Sequence, residues 1–374
     1  MVDAIVSPTT RRRVLFALPS LRGGGAERVV VTLLRHLDRT RFEPHLVLVE
    51  SVGPYLADVP DDVPVHALDA PRLRRAIPAL VRVIRTVRPA VVVSTQGYMN
   101  MALLLLHPLF RGSRLIVREV IGERYLENSR LQPLLYRLYL GLVRRAARIV
   151  VQSEAVQREM TARLAAPPGQ VVRVYNPVDE EHIAARARAA APLAARERPH
   201  VVAAGRLGRQ KGFDLLLDAF AGVAQNLGRG TLTILGDGPE RAALEAQAAG
   251  LGIASAVRLV GFQENPFTYF AAADLFVLSS RYEGLPNVVL EALACGCPVV
   301  AFDCPHGARE IVRDGVNGFL VPPEDVPSLR AAMLRALKND DERRRLAANA
   351  RPSLEPFLAP TIVRQWEALL EAVR

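Results

Sequence analysis

Two glutamates eight positions apart in Ser280-Arg-Tyr-Glu-Gly-Leu-Pro-Asn-Val-Val-Leu-Glu291 carry the plainest chemistry in this chain. Gly284, Pro286 and Asn287 predict a turn, and the apolar run Val288 to Leu293 predicts a helix whose first amides are unpaired and attract anions. Glu283 is expected just before that helix and Glu291 about two turns up it. A carboxylate at the first place can accept hydrogen bonds from sugar hydroxyls, and one at the second can take a bidentate pair from a ribose. The spacing therefore suits a sugar nucleotide; the ordinary alternative is a solvated loop glutamate and a helix-surface glutamate.

The stretch Val201-Val-Ala-Ala-Gly-Arg-Leu-Gly-Arg-Gln-Lys-Gly212 reads as an apolar strand ending in Gly205, followed by a loop with Arg206 and Lys211 and a helical run from Phe213 to Val223. Two cations at the carboxyl end of a strand can neutralise a diphosphate and stabilise the negative charge that grows on a departing nucleoside diphosphate. Surface cations in a βα loop are the default for any lone Arg or Lys, yet Lys211 is one of only two lysines in the chain. Near the start, Gly23-Gly24-Gly25 follows a strand-like run. Such a loop could hold a dinucleotide, with Glu50 on a ribose, but the spacing is not Gly-x-Gly-x-x-Gly. Backbone without side chains there would also approach a diphosphate or an acceptor closely.

Four blocks in order, Gly205-Arg-Leu-Gly-Arg-Gln-Lys-Gly212, Gly236-Asp-Gly-Pro239, Ser279 to Ala292 and Gly315-Val-Asn-Gly-Phe-Leu-Val-Pro322, resemble the donor-site blocks of family 4 retaining glycosyltransferases. Gly23-Gly-Gly-Ala-Glu-Arg-Val29 resembles the glycine loop of that family. The resemblance implies the GT-B fold: α/β, with two Rossmann-like domains facing across a cleft and a C-terminal helix crossing back to the first. It implies a UDP-sugar donor bound by Gly23, Gly24, Gly25, Gly205, Gly284, Leu285, Pro286, Asn287, Val288 and Glu291, with Arg206, Lys211 and Glu283 as catalytic residues. Gly261-Phe-Gln-Glu-Asn-Pro-Phe267 and Asp303-Cys-Pro-His-Gly-Ala-Arg-Glu310 are similar to members that add N-acetylhexosamines to polyprenyl-diphosphate-linked glycans in bacterial surface polysaccharide or glycoprotein assembly. Many members place a histidine at the cleft in the first domain, where this chain reads Val117-Arg118-Glu119. Glu119 is then a candidate general base and Arg118 a sugar or acceptor contact; alternatively Glu119 pairs with Arg118 or Arg124. His306 is a candidate for lining the sugar pocket.

Length and composition agree with this. The 374 residues suffice for two domains, and half are apolar, with strand-like and helical runs alternating. Cys295, Cys297 and Cys304 have no second cluster to complete a zinc site and read as small buried residues. The donor half has no Asp-x-Asp to hold a divalent cation, so a metal-independent reaction with no cofactor is expected. The first 180 residues hold 26 arginines against 16 acidic residues, whereas the remainder has 22 basic and 22 acidic. The basic first half predicts an anionic partner. No nucleic-acid motif is present. Arg72 to Arg88 taken alone reads as a core-packed helix with a wet basic face. The apolar, arginine-flanked stretches Tyr98 to Phe110 and Leu131 to Val151 read either as a segment resting on an anionic membrane surface or as an ordinary buried helix pair, and with the basic first half the membrane surface is the expected partner. No apolar run is long enough for a transmembrane helix or a secretory signal, so a cytoplasmic chain, peripheral on the inner face of the membrane, is expected.

The elements that would position these residues alternate throughout. Strands are predicted near Val14 to Leu18, His45 to Glu50, Ala90 to Ser94, Arg114 to Val117, Ile149 to Gln152 and Val171 to Tyr175. In the second half they fall near His200 to Ala204, Thr231 to Leu235, Val257 to Val260, Leu275 to Leu278, Pro298 to Ala301 and Gly318 to Val321. This gives an acceptor-binding, membrane-facing domain at 1–180, a linker at 181–197, a donor domain at 198–358, and a final helix at 361–374 packing back on the first. The competing functions are a UDP-sugar epimerase or hydrolase on the same fold, a nicotinamide-dependent dehydrogenase and a non-catalytic membrane-binding protein.

Overall fold

The computed structural model describes residues 11–110, 112–119, 132–189 and 198–373. The chain divides into two compact units, Met1–Pro177 with Ala359–Arg374, and Val178–Leu358. The first unit runs β1 (Arg12–Leu18), α1 (Gly25–His36), β2 (Phe42–Leu48), β3 (Val65–Ala67), α2 (Leu73–Val87), β4 (Val91–Thr95), α3 (Gly97–Leu106), β5 (Arg114–Arg118), α4 (Gln132–Val143), β6 (Arg148–Val151), α5 (Glu154–Leu164) and β7 (Val171–Arg173). The second runs α6 (Glu180–Ala189), β8 (His200–Ala204), α7 (Phe213–Leu227), β9 (Thr231–Leu235), α8 (Arg241–Gly250), β10 (Val257–Leu259), α9 (Phe267–Ala272), β11 (Leu275–Leu278), α10 (Asn287–Ala294), β12 (Val299–Phe302), α11 (Ala308–Ile311), β13 (Gly318–Val321), α12 (Val326–Lys338) and α13 (Asp340–Ala350). The last helix, α14 (Ala359–Ala372), returns to the first unit.

Each unit holds one parallel sheet, ordered β3-β2-β1-β4-β5-β6-β7 in the first and β10-β9-β8-β11-β12-β13 in the second. Both orders reverse direction once, between β1 and β4 and between β8 and β11. In such doubly wound sheets the loops beyond the strand ends at that reversal form the ligand crevice. The strands are apolar runs because helices cover both faces: all five residues of β4 and all four of β11 are buried.

Differences from the sequence reading have local causes. β2 starts at Phe42 rather than His45, with Pro44 inside it. Pro44 is opposite Val14 of β1, while β3 pairs only with Leu46 to Leu48, so on its outer side the missing N–H of Pro44 breaks no ladder bond. The edge strand β3 is three residues long and half exposed, too short to leave a periodic signal. Residues 181–189 of the expected linker lie in α6, which packs on α9 and α10 and so belongs to the second unit rather than to a tether between the two. Residues 190–197 of that linker, and Arg124, lie outside the described residues.

Basic α2 buries Ala76, Leu80, Ile84 and Val87 at helical spacing, and ends at Arg88 in the left-handed region. α4 turns Tyr136, Tyr139, Leu142 and Val143 inward, so much of its apolar surplus is core, while Leu138 stays 49 % exposed. No described helix is long and apolar enough to cross a membrane.

α14 completes the core of the first unit. Ile362, Val363, Trp366 and Leu370 pack with Phe16 of β1 and Leu33 and Leu34 of α1. Glu367 accepts the backbone N–H of Asp38 at 2.9 Å and the Arg41 guanidinium at 3.0 Å, fixing the helix against the turn after α1. Trp366 is 1 % exposed, and truncating so large a core side chain costs about 3–5 kcal/mol. Trp366→Ala is therefore expected to lower the denaturation midpoint of the first unit well below that of the parent chain, measured by urea titration; an unchanged midpoint would place α14 outside the core.

Candidate active site

The second unit builds its site on the two loops at its sheet reversal. The β8–α7 loop carries Arg206 and Lys211, and the β11–α10 loop carries Glu283. Lys211 Nζ donates to Glu283 Oε1 at 2.6 Å, with the two side chains only 18 % and 7 % exposed. Ser280 Oγ donates to the same carboxylate oxygen at 2.7 Å. One of the three donors on the ammonium is thus used among the described residues, and the rest remain for an anion.

Backbone shape brings the loops together. Gly212 has φ 61°, and a Cβ there would lie 2.0 Å from the Ser279 carbonyl oxygen, so only glycine permits the contact. Ser279 Oγ donates to the Lys211 carbonyl at 2.9 Å. A Cβ on Gly205 would come within 2.9 Å of Lys211 Cε, so that glycine makes room for the lysine stem.

Arg281 clamps the assembly. Its guanidinium donates to both carboxylate oxygens of Asp214 at 2.8 and 2.6 Å, to Glu324 at 3.0 Å and to the Arg209 carbonyl at 2.8 Å. Its backbone N–H donates to Gln210 at 2.8 Å, and Gln210 Nε2 returns a bond to the Tyr282 carbonyl at 3.0 Å. The hydrogen bonds from Arg281 hold the Asp214 carboxyl below its ordinary pKa.

The remaining candidates fall into different places. Arg206 is exposed and has no ion pair among the described residues. Glu291 is buried at the fifth position of α10, a little over one turn in rather than two. Pro286 precedes α10, whose start has neither a side-chain cap nor an acidic residue, and Gly284 and Leu285 are buried beside it while Asn287 and Val288 are half-buried. His306, half-buried with φ 68°, precedes Gly307, whose backbone lies against the Gly284 carbonyl. All three cysteines are free; burial, followed by the charge of Glu291, pushes Cys295 up to about 12, and burial, followed by Glu283, does the same to Cys304. Among the described residues no three His, Cys, Asp or Glu side chains form a metal-holding group.

In the first unit the expected glycine contacts are altered. The backbone N–H groups of Gly23 and Gly24 donate to Glu27 Oε2 at 2.7 and 3.0 Å, and Gln96 Nε2 donates to Oε1 at 3.3 Å. These two amides are thus held by the chain's own carboxylate rather than turned to a diphosphate. Glu27, three residues after the helix cap, was legible as a capping-box glutamate; Gln96 and Arg281 carried no such signal. Arg118 and Glu119, 2 % and 6 % exposed, lie inside this unit at the end of β5. Arg118 donates to Asn176 at 2.6 Å and Thr95 at 3.4 Å, and burial lowers its pKa to about 10, partly offset by Glu119. The Tyr139 hydroxyl donates to Glu119, and burial, then that neighbouring charge, raises the tyrosine pKa well above 10.

Known proteins resemble this chain over both halves. The profile for Glycosyltransferase Family 4 matches residues 23–182, and that for Glycosyl transferases group 1 matches 186–353. The N-acetylgalactosamine-N,N'-diacetylbacillosaminyl-diphospho-undecaprenol 4-alpha-N-acetylgalactosaminyltransferase of Campylobacter jejuni is 28 % identical over 359 residues, covering 92 % of this chain and 95 % of that one. The amylovoran biosynthesis glycosyltransferase AmsD of Erwinia amylovora is 26 % identical, covering 93 % and 96 %. HepE of Anabaena, solved with UDP and glucose, superposes with a TM-score of 0.82 at 21 % identity, over 97 % of this chain and all of that one. The chain belongs to the family 4 glycosyltransferases, of GT-B fold.

The Arg281–Asp214 contact has a measurable pH signature. Because the Asp214 pKa is lowered in the folded chain, its stabilisation is complete above the unfolded value of about 3.8 and is lost as pH falls through the lower folded value. Arg281→Ala is expected to melt below the parent at neutral pH, with the gap narrowing under about pH 4. A gap that stays constant across that range would show that the clamp does not depend on this carboxylate.

Proposed function

We propose that this glycosyltransferase is a retaining, metal-independent enzyme that moves a sugar, an N-acetylhexosamine, from a UDP-sugar to a polyprenyl-diphosphate-linked glycan. The observation that carries the proposal is the Lys211–Glu283 pair at the sheet reversal of the second unit, in a chain whose two halves both match the family. The Campylobacter relative, whose name specifies a diphospho-undecaprenol substrate and an N-acetylgalactosaminyl group, supports the acceptor and the sugar class. HepE with UDP and glucose supports the nucleotide. The arginine excess of the first half favours a peripheral place at an anionic membrane face, where such an acceptor resides.

In this reading Lys211 and Arg206 face the diphosphate, Glu291 takes the ribose hydroxyls, and the start of α10 with Gly284 to Val288 lines the donor. Glu283 holds Lys211 and accepts from a sugar hydroxyl, and His306 stands at the sugar's edge. The bond between the anomeric carbon and the phosphate oxygen breaks while the acceptor oxygen bonds to that carbon on the same face. The acceptor proton passes to the departing phosphate oxygen, and the two cations stabilise the charge left on UDP. No protein nucleophile is needed. Glu119 is not assigned the proton, because the Tyr139 hydroxyl already engages its carboxylate inside the first unit.

The test is transfer from UDP-, GDP- and ADP-sugars to a polyprenyl-diphosphate-sugar extract, following nucleoside diphosphate release and product mass. We expect acceptor-dependent UDP release, a mass gain of one N-acetylhexosamine, and no change with EDTA. Lys211→Ala and Glu283→Ala are each expected to reduce transfer by about 10²–10³-fold, as for loss of one preorganised electrostatic group. Variants within a few-fold of the parent would remove both residues from the site. Release without acceptor would replace transfer by hydrolysis or epimerisation.

A further inference from the structure

The first unit contains a groove that the donor chemistry does not use. Its volume is about 860 Å³, inside the span of roughly 300–1,000 Å³ usual for small-molecule sites. Leu73 and Ile77 of α2 face Tyr98, Met101, Ala102 and Leu105 of α3 across it, and the turns after β1 and β2 close its base. The α3 residues recur every three or four positions and so share one helix face. Tyr98 and Leu105 are 68 % and 55 % exposed.

The rim of this apolar groove is cationic. Arg72 and Arg74 line it, are exposed, and have no ion-pair partner among the described residues. Arg22 also lines it and is paired with Glu50. Arg72 and Arg74 stand at the start of α2, whose first turn holds no acidic residue. The positive end of the helix dipole adds to their charge instead of cancelling it. A bilayer surface calls for a flat or convex apolar face, whereas a concavity with a cationic rim fits one apolar chain ending in an anionic head.

We propose that this groove binds the lipid end of the sugar acceptor, with a single apolar chain between α2 and α3 and its phosphate or diphosphate head on Arg72 and Arg74. That the occupant is the acceptor rests on the transfer reaction proposed above; that it is an anionic single-chain amphiphile rests on the groove alone.

Calorimetric titration of the full chain with farnesyl diphosphate, farnesol and inorganic diphosphate tests this without turnover. Farnesyl diphosphate is expected to bind at least about tenfold tighter than either fragment. Ala102→Trp, which fills the groove, is expected to weaken it at least about tenfold and leave UDP binding unchanged. Arg72→Glu combined with Arg74→Glu, at exposed positions that folding does not need, is expected to weaken farnesyl diphosphate to a similar degree and to spare farnesol. Farnesyl diphosphate binding equally to the parent and to the double arginine variant would overturn the proposal. So would capture of both the parent and Ala102→Trp by phosphatidylglycerol vesicles without competition from farnesyl diphosphate, which would make the face a general membrane surface. A parent chain that binds the probe but glycosylates no lipid-linked acceptor keeps the amphiphile site and removes the transfer reading. Transfer to that acceptor with an unchanged KM in Ala102→Trp removes the groove assignment instead.

Discussion

The bond between the Lys211 ammonium and the Glu283 carboxylate is the constraint around which the second unit is organised. Both groups are largely out of water, and removing one partner of such a pair leaves an uncompensated charge at a cost of about 3–5 kcal/mol. Their loops follow strands that are neighbours in the sheet, although the residues are 72 positions apart in sequence. The pair therefore exists only if β8 and β11 lie side by side, if Gly212 leaves room for the Ser279 carbonyl, and if Arg281 holds both loops at once. Sheet order, a left-handed glycine and a surface-to-interior ion network converge on one charged contact.

The two units use the same winding for different electrostatics. At the reversal of the second sheet a cation is presented and its carboxylate partner holds it. At the reversal of the first, Glu27 gathers two backbone amides and Gln96. The first unit thus meets its own positive helix end with an internal anion, and its excess of arginine is spent elsewhere, including the rim between α2 and α3.

Much of this was legible in the sequence, for identifiable reasons. Strands buried on both faces appear as short apolar runs, so β8, β9, β11 and β13 are found at their predicted places, and Lys211 and Glu283, singled out by residue type, lie on the two loops that their ion pair joins. What stayed hidden depends on tertiary neighbours. Asp214 and Glu324 are 67 and 43 positions from Arg281, and no local pattern links them. That β2 begins at Phe42, before Pro44, depends on β1 pairing there while β3 does not reach that register. Tyr136 and Tyr139 of α4, in a stretch read as membrane-facing, are buried, because the sequence does not tell which helix face finds a core.

The return of α14 has a consequence for how the chain is made. The core of the first unit lacks Trp366 and its neighbours until the ribosome has passed residue 358, so that unit remains open during synthesis of the whole second unit, about 180 residues. At roughly 5–20 residues per second the delay is about 10–35 s. The second unit, closed by local contacts of its own, can finish first, reversing the usual amino-to-carboxyl order of domain maturation. During that interval the β1 and α1 faces that later receive α14 are apolar surface on a nascent chain, a natural target for chaperones that bind exposed hydrophobic segments.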